Sequence, residues 1–252
     1  MRKTASVRFI DNLQKRIQGI IHDDHKNIVE AAKIMANAIE NNQMIHIWGP
    51  GGHSAIVAED ALYRKGGLAC VNPIYDPTLS VSHGAIQEIN HFEGLTGVAP
   101  KLLDYYGVKK GDVFILSNAW GISAEGIDLA LEIKKRGIKL IAISTTEAKI
   151  YLNPNHPLTH KSGKVVSEIA DICINNHCPH GDANVEIEGF RRVAPISVIM
   201  QSVVYQSLVA ETVEILVKRG IEPPIWTNAL EEGGIEKNKK YIEKYGIRVK
   251  CL

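Results

Sequence analysis

The chain has 252 residues, of which 45% are hydrophobic and 23% are charged, and its 29 basic and 28 acidic residues leave a net charge of +1. This is the composition of an ordinary globular protein, and the balanced charge argues against a nucleic-acid partner. No stretch has the apolar length of a signal-peptide core or of a membrane span. The four cysteines lack the spacing of a disulfide framework. Together these features predict a cytoplasmic protein without a membrane partner.

The chain begins with two stretches of helical periodicity, and predicted strands then alternate with predicted helices. Two apolar stripes within residues 6–40 predict two helices that form an added arm, packed either on the sheet or on a second subunit. Met44–Trp48 predicts the first strand, and the turn Gly49–Ser54 leads from it into a helix. Leu68–Asn72 predicts the second strand, and a long polar connection follows and ends at His83. A connection of this length inside a domain is more often functional than idle.

The segment Val113–Ser144 predicts a strand, a loop, a helix and a second strand. Val113–Leu116 is a short apolar run, typical of a buried parallel strand, and Gly137 suits the end of the helix. Between them, the loop Ser117–Ser123 lies at the carboxyl end of the strand and at the amino end of the helix. Unpaired N–H groups and the helix dipole favour an anion there, so we interpret this loop as a phosphate-binding loop.

The remaining elements complete an α/β pattern. Asp171–Asn175 predicts the fifth strand, Val193–Arg219 a long apolar helix, and Ile247–Lys250 a strand-like end after a charged helix. Such alternation predicts a doubly wound parallel sheet, in which ligands bind at the carboxyl ends of strands near a switch point. We divide the chain into an N-terminal helical arm (residues 1–42), a central domain (43–225) and a C-terminal helix with an extension (226–252).

The turn Gly49–Ser54 reads Gly-Pro-Gly-Gly-His-Ser and stands where a dinucleotide-binding fingerprint would also stand. Ser54 replaces the third glycine of that fingerprint, and the second strand ends at Asn72 without the acidic residue that holds a ribose hydroxyl. We therefore favour a sugar-phosphate site shared with the Ser117–Ser123 loop over a nicotinamide or flavin site, and over a tight turn without a ligand.

Three features of the chain resemble the sugar isomerase (SIS) domain family: the Gly49–Ser54 turn, the Ser117–Ser123 loop and the strand end Ile141–Ser144. The chain is also similar to a bacterial branch of phosphoheptose isomerase-like proteins in Ala58–Gly67, Val71–Ile74, His177–Ala183 and Arg219–Pro224. The resemblance covers most of the chain from Ile45 onward. It implies a three-layer α/β/α sandwich with a five-stranded parallel sheet, flavodoxin-like or Rossmann-like, phosphosugar binding, and a homo-oligomer such as a dimer or tetramer.

The second loop departs from the Ser-x-Ser-Gly-x-Thr pattern common in that family, because Ala119 and Trp120 precede Gly121. The tryptophan removes a hydroxyl donor and adds a large flat surface. The loop therefore either binds phosphate through its remaining donors or takes a different or larger ligand, with the indole stacked on a sugar face. The expected phosphate contacts are Gly51, Gly52 and Ser54 in the first turn and Ser117, Asn118, Gly121 and Ser123 in the second.

Aldose–ketose isomerisation needs a base that moves a proton between neighbouring carbons and a donor at the sugar oxygens, and it requires no metal or organic cofactor. Glu59 lies on the helix after the first turn, where the resemblance also places a catalytic glutamate. Buried among apolar neighbours, this carboxylate would gain the proton affinity that a base needs, whereas the alternative is a carboxylate on the helix surface. His53, His83 and His180 are the assisting candidates, since imidazole both donates and accepts near neutral pH.

A metal site is the alternative for the segment after the fifth strand, which contains His177, Cys178, His180 and Asp182. Their spacing matches no standard zinc pattern, so we predict no metal, and we expect Asp182 to fix the loop or to contact sugar hydroxyls. The predicted function is a sugar-phosphate isomerase without a cofactor. Two alternatives use the same pocket: a sensor that binds a sugar phosphate without turnover, and a lyase or etherase that acts on an amino-sugar phosphate.

Overall fold

A computed structural model describes residues 3–86 and 91–252, and of Thr78 and His83 it describes the backbone alone. The centre is a parallel sheet of β1 (Ile45–Trp48), β2 (Val71–Pro73), β3 (Val113–Ser117), β4 (Lys139–Ser144) and β5 (Ile172–Asn175). The strands pair in the order β2-β1-β3-β4-β5. The direction of winding reverses between β1 and β3, so these two strands form the switch point at which a doubly wound sheet binds its ligand.

Helices cover both faces of this sheet. In chain order they are α1 (Ala5–Gly19), α2 (His25–Glu40), α3 (Ala55–Ala61), α4 (Ala99–Tyr105), α5 (Ala124–Lys135), α6 (Ala148–Tyr151), α7 (Val166–Ile169), α8 (Ser197–Lys218) and α9 (Gly234–Tyr245). A π-helical turn, Ile20–Asp24, joins α1 to α2. Among the helices that the structure describes, none has the length and apolar character needed to cross a bilayer.

The sheet separates two apolar cores, because successive side chains of a strand face opposite sides. Ile45, Ile47 and Ile115 face the core that α2, α3 and α8 cover. Phe114 and Leu116 face the second core, which α4 and α5 cover. The predicted three-layer α/β/α sandwich with a five-stranded parallel sheet is confirmed.

The N-terminal helices belong to the first of these layers. Ala31 and Met35 of α2 are fully buried, and α2 packs along α8 and against the sheet. Phe9 and Leu13 of α1 are partly buried against the same core. Of the two placements predicted for the arm, the packing of α2 matches the one on the sheet.

Three predicted elements differ from the structure. The predicted second strand, Leu68–Asn72, begins only at Val71 and ends at Pro73. The predicted helix Val193–Arg219 begins only at Ser197, because Arg192–Pro195 forms strand β7, which pairs with β6 (Ala183–Glu186) in an antiparallel hairpin. The predicted strand-like end at Ile247–Lys250 is wrong. These residues form turns at the amino end of the sheet, where the Lys250 N–H donates to Asn72 Oδ1 at 3.1 Å.

Candidate functional site

The first turn lies at the carboxyl end of β1 and passes through a short 3₁₀ helix, Gly52–Ser54, into α3. Gly51 has a φ of +84°, a conformation that residues with a Cβ rarely adopt. A Cβ on Gly51 would also lie 3.0 Å from Glu93 Oε1 and 3.1 Å from Asn118 Nδ2. The turn therefore requires glycine, and the Glu93 carboxylate and the Asn118 amide converge beside it.

Asn118 connects the first turn to the second, which follows β3. Its Nδ2 donates to the carbonyl oxygen of Pro50, and its Oδ1 accepts the N–H groups of Trp120 and Gly121. The two turns that are predicted to share a site are thus in direct contact. The same hydrogen bonds occupy the N–H groups of Trp120 and Gly121, so a ligand that keeps this arrangement does not use these two donors.

Two buried hydroxyl groups border the second turn without a hydrogen-bond partner among the described residues. Ser123 is the N-cap residue of α5 and is 7% exposed, yet its Oγ does not cap the helix. Ser144 ends β4 and is fully buried, and its Oγ lies only 2.7 Å from the position of a Cβ on Gly121. A buried hydroxyl without a partner is costly, which is a reason to expect a ligand at this point.

Ser117 is predicted as a phosphate contact, but it lies below the surface of the site. It is fully buried, and its Oγ donates to Gln201 Oε1 of α8 at 2.6 Å. The Nε2 of Gln201 is buried without a partner in the described part of the chain. Ser117 therefore joins β3 to α8, and Gln201, which no sequence motif marks, adds an amide at this edge of the sheet.

Trp120 packs against two other aromatic rings. Its ring centroid lies 5.6 Å from that of Tyr151 and 5.5 Å from that of His180, and these two rings lie 4.3 Å apart. The three rings come from the segments that follow β3, β4 and β5. They form an aromatic cluster beside the two turns, and the indole does not separate Gly51 from Asn118.

A cleft of about 260 Å³ opens beside Ser123. The second turn, α6 and the segments 92–94 and 153–159 form its wall. The lining residues are Glu93, Ile122, Ser123, Tyr151, Asn153, His156, Leu158 and Thr159. Glu93 and His156 are the carboxylate and the imidazole of this cleft. No sequence motif marks either residue, because both lie in irregular connections.

The predicted catalytic residues are distributed over this edge of the sheet. His53 is exposed on the first turn, whereas Gly52 and Ser54 are buried beside it. Glu59 is exposed on α3, which matches the second of its two predicted placements, a carboxylate on the helix surface. His180 lies in the aromatic cluster. The side chain of His83 lies outside the described part of the structure.

The segment after β5 does not assemble a metal site. His177 Nε2 bonds Asp24 Oδ2 at 2.9 Å, and Asp182 accepts hydrogen bonds from Ile196 N–H and from the N–H and Oγ of Ser197. Burial raises the pKa of the Cys178 thiol to about 12, which disfavours the thiolate that would bind a metal. Within residues 3–86 and 91–252, no group of three or more potential ligands lies together. Asp182 thus fixes this loop to the start of α8, one of its two predicted roles.

Asp24 anchors the β5 loop from the π-helical turn. Its Oδ1 accepts the Asn175 N–H at 3.0 Å, and Asn176 Nδ2 donates in turn to the Ala119 carbonyl of the second turn at 3.0 Å. Burial opposes the charge of Asp24, but hydrogen bonds from His177, the Asn175 N–H and Asn27 outweigh it, so its pKa lies below the usual value. The N-terminal helices therefore position a loop that contacts the site.

Comparisons with known proteins agree with this architecture. The sequence model of the SIS domain matches residues 8–145. The UPF0309 protein of Thermoanaerobacter pseudethanolicus is 35% identical over 251 residues, 98% of this chain and 99% of the relative. The chain belongs to the SIS domain family. A second UPF0309 protein, from Oceanobacillus iheyensis, is 37% identical over 243 residues and is covered to 97% by this SIS protein.

Solved structures share the SIS fold at low identity. The phosphoheptose isomerase from Neisseria gonorrhoeae superimposes with a TM-score of 0.51 and 18% identity over 82% of this chain and 95% of the isomerase. The phosphoheptose isomerase from Francisella tularensis gives a TM-score of 0.52 and 16% identity over 84% of this chain and the whole of that enzyme. At this identity, the likeness concerns the fold of the SIS domain.

Proposed function

We propose that this SIS domain protein binds a sugar phosphate in the cleft beside Ser123, next to the contact between the first and second turns, and interconverts its aldose and ketose forms. The observation that carries the proposal is the contact of the two turns beside Ser123, whose buried Oγ lacks a partner among the described residues. A phosphate oxygen is a suitable partner for such a hydroxyl, and the adjacent start of α5 favours negative charge.

The size and polarity of the cleft support a small carbohydrate. Its volume of about 260 Å³ lies just below the range of roughly 300–1,000 Å³ that is typical of sites for drug-sized ligands. Carboxylate, imidazole, amide and hydroxyl groups line it, and these are groups that bind sugar hydroxyls. Membership of the SIS domain family and the isomerases that share the fold favour the same substrate class. Cytoplasmic location and a homo-oligomeric state remain predictions.

Binding is tested by calorimetry with inorganic phosphate, arabinose 5-phosphate, fructose 6-phosphate and sedoheptulose 7-phosphate. We expect at least one sugar phosphate to bind more tightly than phosphate alone. Ser123→Ala removes a hydrogen bond to a charged group, so we expect the affinity for that sugar phosphate to fall by about 10- to 100-fold. Ser207→Ala is the control, because the Ser207 hydroxyl donates to the Val203 carbonyl of its own helix, away from the cleft.

Isomerisation is followed by NMR in deuterated water, which detects both the product and the exchange of the hydrogen next to the carbonyl. Product formation supports the proposed isomerase. Tight binding without product or exchange favours a sensor, and elimination products favour a lyase or etherase. If Ser123→Ala binds each sugar phosphate as tightly as the unmodified protein does, the proposed site is contradicted.

A further inference from the structure

We infer that Glu93 and His156 are the acid–base pair of the proposed isomerase, with Glu93 as the catalytic base and His156 as the hydrogen-bond donor to the sugar oxygen. The inference rests on the proposed function, because it assigns the chemistry of that same site. It differs from the sequence prediction, which favours Glu59.

Glu93 is held at the junction of the two turns. It lies on the 3₁₀ helix Phe92–Gly94, where Phe92 packs against the apolar core on one side. On the other side, a Cβ on Gly94 would lie only 3.0 Å from Leu158 Cδ2, so this segment fits closely against the opposite wall of the cleft. The Glu93 carboxylate lies beside Gly51 and lines the cleft together with Ser123. A base in this position lines the same cleft as the Ser123 hydroxyl that we propose binds phosphate.

His156 faces the same cleft in a defined tautomer. Its Nδ1 accepts the Leu158 N–H at 3.2 Å, so the neutral ring carries its proton on Nε2. The turn around it is fixed, because the Asn153 carbonyl accepts the His156 N–H at 3.1 Å and the Thr159 hydroxyl at 2.7 Å. The remaining ring N–H is therefore available as a donor to a ligand oxygen.

Glu59, in contrast, lies outside the cleft. Its side chain is exposed on α3, and it is not among the residues that line the cleft. The buried face of α3 consists of Ala55, Val57, Ala58 and Ala61. The carboxylate of Glu59 is thus on the solvent side of a helix whose other face packs in the core.

The proposed step conserves atoms and electrons. The Glu93 carboxylate takes the proton from the carbon next to the aldehyde, and the C–H electron pair becomes the C=C bond of an enediol. The carbonyl π pair moves to its oxygen, which receives the proton of His156 Nε2. Glu93 then returns its proton to the former carbonyl carbon, while the neighbouring hydroxyl gives its proton to His156 as it becomes the ketone.

The test compares Glu93→Gln, His156→Gln, Glu59→Gln and the control Glu147→Gln on the same four probes. Glu147 is an exposed glutamate in the segment between β4 and α6, at the same edge of the sheet. Hydrogen–deuterium exchange next to the carbonyl measures the proton transfer, and calorimetry measures binding separately. Thermal melting shows that each variant folds, and Glu93→Asp, which keeps a carboxylate, provides a second variant at the same position.

We expect Glu93→Gln to reduce exchange by about 100- to 10,000-fold and His156→Gln to reduce it by a smaller factor, with sugar-phosphate affinity changed little. Glu59→Gln and Glu147→Gln are expected to exchange at nearly the unmodified rate. Normal exchange in folded Glu93→Gln overturns the assignment of Glu93 and leaves the isomerase standing, and loss of exchange in Glu59→Gln alone restores the sequence prediction. If the unmodified protein binds a probe but exchanges none, the isomerase itself is overturned, and the assignment with it.

Discussion

A single carboxamide, that of Asn118, holds the two turns of the site together. Its oxygen accepts two N–H groups of the second turn, and its nitrogen donates to the first. These N–H groups are the ones that a strand–loop–helix junction offers to a phosphate. At the residue scale, the site is therefore pre-organised by the protein itself, and the Ser123 hydroxyl group at the cleft remains for a ligand.

Asp24 is the residue whose ionisation we expect to govern acid stability near the site. Its lowered pKa stabilises the fold above the unfolded-state pKa of about 3.9, and this stabilisation is lost as the pH falls through the still lower folded value. Asp24→Asn should reduce the free energy of unfolding at neutral pH by about 1–3 kcal/mol. The difference from the unmodified protein should shrink below about pH 4.

Urea unfolding at a series of pH values measures this difference. Asp23→Asn is the matched control, because the neighbouring Asp23 pairs with His22 at the surface and both side chains are more than half exposed. Exposed ion pairs contribute little to stability, so this variant should behave like the unmodified protein. An Asp24→Asn deficit that stays constant from neutral to acidic pH would show that its charge is not the source of the stabilisation.

At the scale of elements, the start of α8 depends on Asp182. The carboxylate accepts two N–H groups and one hydroxyl group at the first residues of this helix, which crosses the whole of one core. We expect Asp182→Ala to lower the free energy of unfolding by about 1–2 kcal/mol, the usual cost of losing an N-terminal cap, and Asp182→Asn, which keeps an acceptor oxygen, to lower it less. Thermal melting tests the cap. A loss of sugar-phosphate affinity with unchanged melting would instead support the predicted contact with sugar hydroxyls.

The central strands, which are buried on both sides, could be predicted from the sequence, whereas the partly exposed hairpin β6–β7 could not. The central strands are continuous apolar runs bounded by glycine and polar loops, which is what a parallel sheet between two helical layers requires. The hairpin β6–β7 has short strands of mixed polarity, and the apolar residues Val193–Ile196 resemble the first turn of the following helix. Asp182 determines where that helix begins, and it acts from a distance in sequence that a local pattern does not reveal.

Part of the candidate site could likewise be predicted from the sequence, and part could not. The convergence of the two turns could be predicted, because the carboxyl ends of neighbouring parallel strands meet at one edge of the sheet. The positions of Glu93 and His156 could not, since they depend on how two irregular connections fold back over that edge. Ser117 shows a further reason: its place in the loop motif does not reveal that Gln201 occupies its hydroxyl.

At the scale of the whole molecule, the two ends of the sheet serve different purposes. The carboxyl end carries the candidate site, and residues 247–252 close the amino end. There Val249 is buried, Arg248 donates to the Asn42 carbonyl, and the Lys250 N–H donates to Asn72. Beneath them lies the buried pair of His46 and Asp112, whose atoms Nε2 and Oδ2 are 3.1 Å apart.

Removal of residues 248–252 should therefore destabilise the fold without altering the site. Loss of the buried valine and of the Asn72 hydrogen bond predicts a decrease of about 3 kcal/mol in the free energy of unfolding. Removal of Cys251 and Leu252 alone, both exposed, is the control and should change it by less than about 0.5 kcal/mol. Urea unfolding compares the two truncations. If the two truncated proteins are equally stable, the last turns do not support the sheet. If the longer truncation also weakens sugar-phosphate binding, the amino end of the sheet influences the site at its carboxyl end.

The π-helical turn at Ile20–Asp24 determines how α1 is rotated about its axis relative to α2. A π turn contains one residue more than an α turn, and each residue of an α-helix advances the side chains by about 100°. If one residue were deleted there, α1 would rotate by that angle relative to α2. Three side chains of α1 now donate to carbonyl groups at the hairpin and the β5 loop: Arg8 to Glu186, Asn12 to Asn184 and Arg16 to His177. All three would then lose their acceptors together, so the length of this one turn aligns the helix with the loops beside the site.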